Sequence, residues 1–307
     1  MRLFGATHID FMGKRRTWYL VSAVAILIGM ASLAVKGISL GIDFLGGTEL
    51  IVQFQRPVEI GDVRGAMDKI GFGRAEIKTF GSDRDILIRT SSIELEGGGA
   101  VGDRLREGLT SAFPANPFVV QKEDKIGPKI GAELRRDAVY AILASLVAIW
   151  IYVGFRFKFV YGLGAVLALF HDVLVTLGMV SIFNGVFNLE IDQNMVAAFL
   201  TLVGLSVNDT VVIFDRIREN QKIHKTMDLL TLMNKSINET LSRTIITSLT
   251  IFAVLLILLL LGGEVNRGFA FALTAGIITG TYSSIYIASA VALEWITRSK
   301  SKGKLIE

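Results

Sequence analysis

The segment Met195–Phe214 reads M-V-A-A-F-L-T-L-V-G-L-S-V-N-D-T-V-V-I-F, and it decides the fold class of the chain. It is almost entirely apolar and long enough to cross roughly 30 Å of hydrocarbon as a helix. Asp209 lies inside it, and Arg243 directly precedes the next long apolar segment. A charged side chain in a membrane helix costs from a few to roughly 10 kcal/mol, so it is retained where it faces protein, an opposite charge or water. These two residues therefore predict ion or proton handling within the bilayer.

The composition of the chain is that of a polytopic membrane protein. Its 307 residues are 51% hydrophobic, contain no cysteine and have a mean hydropathy of +0.54, which excludes an ordinary soluble domain. The absence of cysteine excludes disulfides and thiol chemistry but does not select a redox compartment. The net charge of +4 is small and the basic residues flank apolar segments, which argues against nucleic-acid binding.

No motif for an enzyme, a metal site or a cofactor is present in the sequence. It lacks a phosphate-binding loop, a nucleophile elbow and the H-E-x-x-H pattern, so we expect no ATP hydrolysis and no cofactor. The three histidines are scattered without ligand spacing, and no metal site is predicted. Any work that the protein performs must therefore draw on another source of energy.

Six segments are long and apolar enough to cross a membrane. They are residues 17–35, 138–155, 159–183, 195–214, 244–261 and 268–293. The first follows basic residues as in a signal peptide, but it is too long and lacks a clear cleavage site, which favours a retained anchor helix.

The distribution of lysine and arginine predicts the orientation of these helices. Basic residues concentrate in residues 1–16, in the link between the second and third helices, in 215–243 and in 294–307, whereas the other links are neutral or acidic. Because basic loops remain in the cytoplasm, both termini are predicted to be cytoplasmic. Residues 36–137 would then lie on the extracytoplasmic side of the membrane.

Residues 36–137 have the pattern of a folded domain. Residues 48–55 (T-E-L-I-V-Q-F-Q) alternate as in a strand, and the remainder continues as helix, two strands, helix and strand. The order β-α-β-β-α-β predicts an extracytoplasmic α+β domain of ferredoxin-like fold.

Residues 215–243 mix charged and apolar positions at helical spacing. This pattern predicts one or two amphipathic helices lying on the cytoplasmic membrane surface. A solvated connector is the alternative.

Asp209 and Arg243 can lie at the same depth, since their helices run in opposite directions. Ser206 precedes Asp209 by one turn, and Thr247 shares a helix face with Arg243. A carboxylate whose proton affinity depends on burial and on a nearby arginine can bind and release a proton. A static ion pair joining two helices is the alternative, although such pairs add little net stability.

Other polar residues lie within the apolar segments. His171 and Asp172 in the third segment could form a proton relay, or could serve packing. Adjacent helical residues diverge by about 100°, so we expect that the two do not face the same spot. Asn208 adds a polar group beside Asp209, and in residues 279–284 (T-G-T-Y-S-S) the pattern favours close helix packing over ion coordination.

Several motifs together resemble the SecD/SecF family of bacterial protein-export membrane proteins, which are relatives of the resistance-nodulation-division transporters. The motifs are G-I-D-F-L-G-G (41–47), I-G-P-K-I-G-A-E-L (126–134), H-D-V (171–173), the string 203–220, L-S-R-T (241–244) and G-T-Y-S-S-I-Y-I-A (280–288). The string 203–220 is the most specific of these, and the resemblance runs the length of the chain.

The resemblance implies a subunit of the bacterial cytoplasmic (inner) membrane that has six helices and one periplasmic ferredoxin-like domain and pairs with SecD. It also implies proton movement through Asp209 and Arg243, with a further aspartate supplied by SecD. The residues in supporting positions are Asn208, His171, Asp172 and Thr247, and those of the motif after the first helix are Gly41, Asp43, Gly46 and Gly47. The implied partners are the SecY/SecE/SecG translocon, an unfolded preprotein and membrane lipids.

Three functions remain open from the sequence. The first is a proton-driven subunit that pulls on exported polypeptides or prevents them from sliding back. The second is a passive scaffold that holds SecD and the channel together. The third is half of a proton-coupled exporter of small molecules or lipids, for which an outer domain of roughly 100 residues is small to enclose a pocket.

Overall fold

The computed structural model describes residues 7–91, 100–157 and 159–301. It divides into a unit formed by Leu40–Val139 with Ile191–Gln193, and a helical unit formed by the remaining segments. The helices, in chain order, are α1 (Arg15–Lys36), α2 (Ile42–Leu45), α3 (Ile60–Lys69), α4 (Val101–Ala112), α5 (Pro128–Arg156), α6 (Phe159–Phe187), α7 (Gln193–Ile223), α8 (Leu229–Leu261), α9 (Gly263–Ser283) and α10 (Ser289–Ser301). The strands are β1 (Gly47–Phe54), β2 (Glu76–Phe80), β3 (Ser82–Thr90) and β4 (Phe118–Ile126).

The six predicted membrane spans are confirmed within the described residues. They are α1, α5, α6, α7, α8 and one last span in which α9 and α10 are joined by a π-helical turn, Ser284–Ala288. No sequence pattern predicted this turn, in which the helix accommodates an additional residue.

Burial separates the spans into central and peripheral ones. In the most hydrophobic window of the last span, 78% of the residues are buried, whereas the values for α1, α5 and α8 are 11%, 6% and 17%. The last span, α6 and α7 therefore form the centre of the helical unit. The faces of α1, α5 and α8 are left for lipid or for another protein.

Residues 215–243 do not form separate helices. They are divided between α7, which continues to Ile223, and α8, which begins at Leu229 with the Asp228 side chain accepting from the Leu230 and Thr231 amides. Ile217, Met233 and Ile237 are fully or almost fully buried in one core with Phe214. Most apolar positions of this amphipathic pattern thus pack within the protein, whereas Ile223 at the end of α7 is 61% exposed.

The residues before α1 are attached to α8 by two asparagine side chains. Asn238 accepts from the Ile9 amide at 2.9 Å and donates to the Ile9 carbonyl at 2.8 Å. Asn234 accepts from the Met12 amide at 2.9 Å and donates to Asp10 at 2.8 Å. Met12 is fully buried beside this attachment.

The other unit contains the predicted element order, β1-α3-β2-β3-α4-β4. Its four strands form an antiparallel sheet in the order β2-β3-β1-β4. One face of β1 carries Leu50, Val52 and Phe54, which are almost fully buried in a core that includes residues of α3 and α4. The alternation in residues 48–55 that predicted a strand thus marks the face that enters the core.

The same sheet contains a buried ion pair. Arg89 of β3 donates to Glu49 Oε2 of β1 through Nε at 2.9 Å and Nη2 at 2.5 Å, and both side chains are 7% exposed. Arg89 also donates to the more exposed Glu76 at 3.2 Å. Arg89 and Thr90 are the last two residues of β3, and they pair with Glu49 and Thr48 near the start of β1.

Candidate functional site

Asp209 is buried at the meeting point of three helices. Asp209 lies on α7 and is 6% exposed. Its Oδ2 accepts a hydrogen bond from Ser248 Oγ of α8 at 3.2 Å. Ser248 Oγ lies 2.9 Å from Thr281 Oγ1 of α9. We call these three residues the Asp209 cluster. A hydroxyl can donate to a carboxylate or accept from a carboxylic acid, so Ser248 can serve both protonation states.

Arg243 does not form an ion pair with Asp209 within 4 Å in the part of the chain that the structure describes. It lies on α8, in the same helix as Ser248, within electrostatic range of Asp209, but the residue itself is exposed. Asn208 is exposed as well, and Thr247 is partly buried. The structure thus places Asp209 inside the helical unit and leaves Arg243 and Asn208 on its surface.

Asp172 forms a second polar centre, on α6, and is only 1% exposed. Its Oδ2 accepts from Ser206 Oγ of α7 at 2.6 Å and from Ser283 Oγ of α9 at 2.8 Å. Residues 279–284 therefore supply a hydrogen-bond donor to a carboxylate, in addition to close packing. A carboxylate in this position is satisfied by two hydroxyls from two other helices.

The expectation that His171 and Asp172 do not face the same spot is wrong. His171 Nδ1 lies 3.0 Å from Asp172 Oδ1, because both side chains bend toward each other although their Cβ atoms diverge around the helix. On its other side, His171 Nε2 lies 2.9 Å from Tyr282 OH, which lies 3.4 Å from Ser22 Oγ of α1. We call His171, Asp172, Ser206, Tyr282 and Ser283 the Asp172 cluster.

The two clusters share two helices, α7 and α9. Ser206 and Asp209 are one turn apart on α7, and Thr281 and Ser283 are two residues apart on α9. Immediately beyond Ser283 the π-helical turn begins, and Thr210 Oγ1 lies 2.8 Å from Ser284 Oγ at its first residue. The π-helical turn thus lies next to residues of both clusters. Such turns occur frequently at functional sites.

The sequence predicted the two carboxylates and named residues 279–284 as polar, but it did not assign their hydrogen-bond partners. Ser248 was missed, and Ser283 was named only within residues 279–284, for which packing was favoured. A hydroxyl in an apolar helix also bonds to its own backbone and gives no separate signal. The structure also shows no group of three or more His, Asp or Glu side chains arranged to hold a metal among the residues it describes.

The motif G-I-D-F-L-G-G (41–47) forms α2 and the entry into β1. Gly46 and Gly47 have φ angles of 74° and 121°, which favour glycine, and a Cβ at Gly47 would lie 2.1 Å from the Thr90 carbonyl oxygen. Gly41 is extended, with Asp192 against it, and Asp43 Oδ2 accepts from the Gln193 amide at 2.9 Å. The sequence assigned no role to these residues beyond the motif.

Six membrane-spanning helices, two buried carboxylates among hydroxyls and a small α+β unit after the first span define a multi-pass membrane protein with intramembrane titratable groups. A family model described as "Protein export membrane protein SecD/SecF, C-terminal" matches residues 108–298, and the "SecD/SecF GG Motif" matches residues 31–58. The chain belongs to the SecD/SecF family of protein export membrane proteins.

Curated relatives match over almost the whole chain. The protein translocase subunit SecF of Rhodothermus marinus is 46% identical over 308 residues, which cover 99% of each chain. The SecF subunit of Pseudomonas aeruginosa is 39% identical over 288 residues, which cover 94% of this chain and 91% of the relative.

Two solved structures of SecDF are also similar. SecDF of Thermus thermophilus, described as a translocon-associated membrane protein, matches 95% of this chain with a TM-score of 0.82 and 38% identity. SecDF in a super-membrane-facing form matches 99% of this chain with a TM-score of 0.71 and 37% identity. This chain spans 39% and 40% of the lengths of those two chains.

Proposed function

We propose that this protein is the subunit of a SecD/SecF complex that uses the proton-motive force to assist protein translocation across the bacterial cytoplasmic membrane. The observation that carries the proposal is the buried Asp209 carboxylate, held by Ser248 within a membrane span. A carboxylate inside a membrane span costs free energy, so a role in an ion pathway is the default hypothesis for it. The relatives are named protein translocase subunits, and these names support protein translocation as the process.

Proton movement through Asp209 supplies the energy. One charge that crosses 100 mV is worth about 2.3 kcal/mol, and protonation of a buried carboxylate changes the hydrogen bonds it can accept. In the ionised state Asp209 accepts from Ser248, and in the protonated state it can donate instead. That exchange alters the contact between α7 and α8, which is the mechanical step we assign to the site.

A partner is favoured by the residues on the surface of α7 and α8. Arg243 and Asn208 are exposed in spans that are predominantly apolar, and an arginine facing lipid is costly. A SecD subunit that covers these residues would remove that cost and complete the proton path with its own acidic group. The single-chain SecDF relatives are consistent with such a pairing.

The topology follows from the basic links between helices. Both termini lie in the cytoplasm and the β1–β4 unit in the periplasm, with SecY/SecE/SecG and an unfolded preprotein as further partners. No cofactor takes part in this function.

The test is proton uptake and export measured together in vesicles that contain SecD and the translocon. Asp209→Asn keeps the shape and a hydrogen-bond acceptor for Ser248 but cannot take up a proton, so both activities should fall to background. Arg243→Met should also reduce both. Thr250→Val is the control, because Thr250 is an exposed hydroxyl on α8 that donates to its own helix.

A passive scaffold predicts a different result. If Asp209→Asn exports at the wild-type rate while the complex still assembles, the proton-driven function is wrong and the scaffold remains. If Asp209→Asn loses export but also fails to assemble with SecD, the variant Asp209→Glu decides, since it restores a titratable group at the same position.

A further inference from the structure

The segment Leu40–Gly47 is joined to the start of α7. Leu40 and Ile191 form a parallel bridge, and the Gly41 amide donates to the Ile191 carbonyl at 2.8 Å. A Cβ at Gly41 would lie only 3.0 Å from Asp192 Cβ, so the two backbones are in direct contact. The chain after α1 therefore runs along the three residues that lead into α7.

The same segment is packed against the start of α5. A Cβ at Gly131 would lie 3.2 Å from the Asp43 carbonyl oxygen and 3.2 Å from the Gly46 amide nitrogen. A Cβ at Gly46 would lie 3.0 Å from Pro128 Cα. These contacts explain the glycines at positions 46 and 131, because a side chain at either position would press against backbone atoms of the other segment.

Asp43 completes the junction. Its Oδ2 accepts from the amide of Gln193, the first residue of α7, at 2.9 Å. The first amides of a helix have no partner within the helix, and an acidic side chain there stabilises the helix end. Here the capping side chain comes from a segment 150 residues away in sequence. Capping of this kind ties the end of α7 to α2.

The chain on either side of this junction leads to the two parts that a motor must couple. On one side, β1 begins at Gly47, directly after α2, so the sheet and α2 are continuous. On the other side, α7 continues from Gln193 and carries Asp209. The junction is thus adjacent along the chain to β1 on one side and to the rest of α7 on the other.

We propose that Asp43 is a positioning residue that couples the β1–β4 unit to α7, so that a change at Asp209 moves the sheet and a load on the sheet reaches Asp209. This inference rests on the proposed function. The coupling depends on the hydrogen bond to the Gln193 amide and not on the charge of Asp43. The proposed coupling requires that the junction stays closed throughout the cycle.

Two variants of Asp43 separate the hydrogen bond from the charge. Asp43→Ala removes the acceptor, whereas Asp43→Asn keeps an oxygen that can accept from the Gln193 amide. In vesicles with SecD and the translocon, we expect Asp43→Ala to lose most export while it still takes up protons, and Asp43→Asn to retain most export. Hydrogen exchange at the Gln193 amide should rise in Asp43→Ala alone.

A disulfide tests whether restoring the junction restores the coupling. The chain has no cysteine, and the 3.0 Å between the Gly41 and Asp192 Cβ positions is within a small shift of the roughly 3.5–4.5 Å found in disulfides. Gly41 has a φ of −73°, which cysteine adopts freely. Gly41→Cys with Asp192→Cys, added to Asp43→Ala and oxidised, should recover export, and a reductant should abolish it again.

Three results would overturn the inference. Wild-type export by Asp43→Ala would show that the hydrogen bond only caps the helix. Loss of export in Asp43→Asn equal to that in Asp43→Ala would assign the role to charge. Failure of the oxidised pair to restore export, in protein that is shown to be cross-linked and assembled, would show that the junction has to open. The proposed function itself is tested separately, by Asp209→Asn, and can stand when this inference fails.

Discussion

Gly29 of α1 and Gly178 of α6 lie so close together that a Cβ on either one would come within 2.7 Å of the Cα of the other. Beside this contact, Ser32 Oγ and Ser181 Oγ are 2.9 Å apart. Small residues allow membrane helices to approach until their backbones touch, and hydroxyls then bond across the interface. The crossing of α1 and α6 thus depends on the absence of a side chain at two positions.

Replacement of Gly178 by alanine should therefore separate α1 from α6. Overpacking of a tight contact costs about 1–3 kcal/mol, which should lower the midpoint of thermal unfolding in detergent. Gly185→Ala is the matched control on α6, because no atom lies within 4 Å of its added Cβ. Equal unfolding midpoints for the two variants would contradict the close crossing.

Removal of the Asp172 carboxylate should destabilise the centre of the helical unit. Asp172→Ala leaves the buried hydroxyls of Ser206 and Ser283 without this acceptor, at a cost of about 1–3 kcal/mol for each group that finds no other. Part of the loss should return when Ser206→Ala and Ser283→Ala are added. The measurement is the free energy of unfolding in lipid or detergent, with Asp215→Ala as the control at a half-exposed ion pair. A loss no larger than that of the control would contradict the role of the cluster.

Glu49→Ala should destabilise the sheet strongly. It removes one partner of a buried ion pair, and the charge left on Arg89 costs about 3–5 kcal/mol in typical cases, although Glu76 can compensate part of it. Hydrogen exchange of the β1 and β3 amides in the full chain measures the effect. Asp137→Ala removes one side of an ion pair in which both side chains are 60% exposed, and it should change exchange little.

The attachment of the N-terminal residues to α8 should weaken in acid. The Gly13 amide, followed by the Asn234 side chain, lowers the pKa of the Asp10 carboxyl from 3.8. A group with a lowered pKa in the folded protein contributes stability above its unfolded value, and that contribution is lost as the pH falls through the folded pKa. The attachment should therefore be fully present at neutral pH and weaken below about pH 4.

Hydrogen exchange of the Met12 and Gly13 amides, compared at each pH with Asp10→Asn, measures this change. The wild-type protein and the variant should converge as Asp10 becomes protonated. Divergence that grows in acid would contradict the assignment.

The spans and the strands could be predicted from the sequence because each depends on a local pattern. The length of an apolar segment decides whether a helix can cross a membrane, and alternation in 48–55 follows directly from the geometry of a strand. Charge inside an apolar segment also identified Asp209 and Asp172 without any knowledge of their surroundings.

The partners of these residues could not be predicted, because they depend on which helices pack together. Ser248 and Ser283 lie beside carboxylates only in the folded protein, and Arg243 turned out to be exposed. The amphipathic pattern of 215–243 was detected correctly, but periodicity does not say whether the apolar face packs on lipid or on protein. The short helix α2 lay below the length at which a pattern can be recognised.

The π-helical turn Ser284–Ala288 determines where the last span can tolerate the loss of a residue. Such a turn takes up one residue more than a regular turn while the helix on either side keeps its orientation. A one-residue deletion inside it should leave α9 and α10 facing their present neighbours, whereas the same deletion elsewhere in the span would rotate everything beyond it by about 100°. At this turn, evolution can remove a residue from the last span without turning its buried face outward.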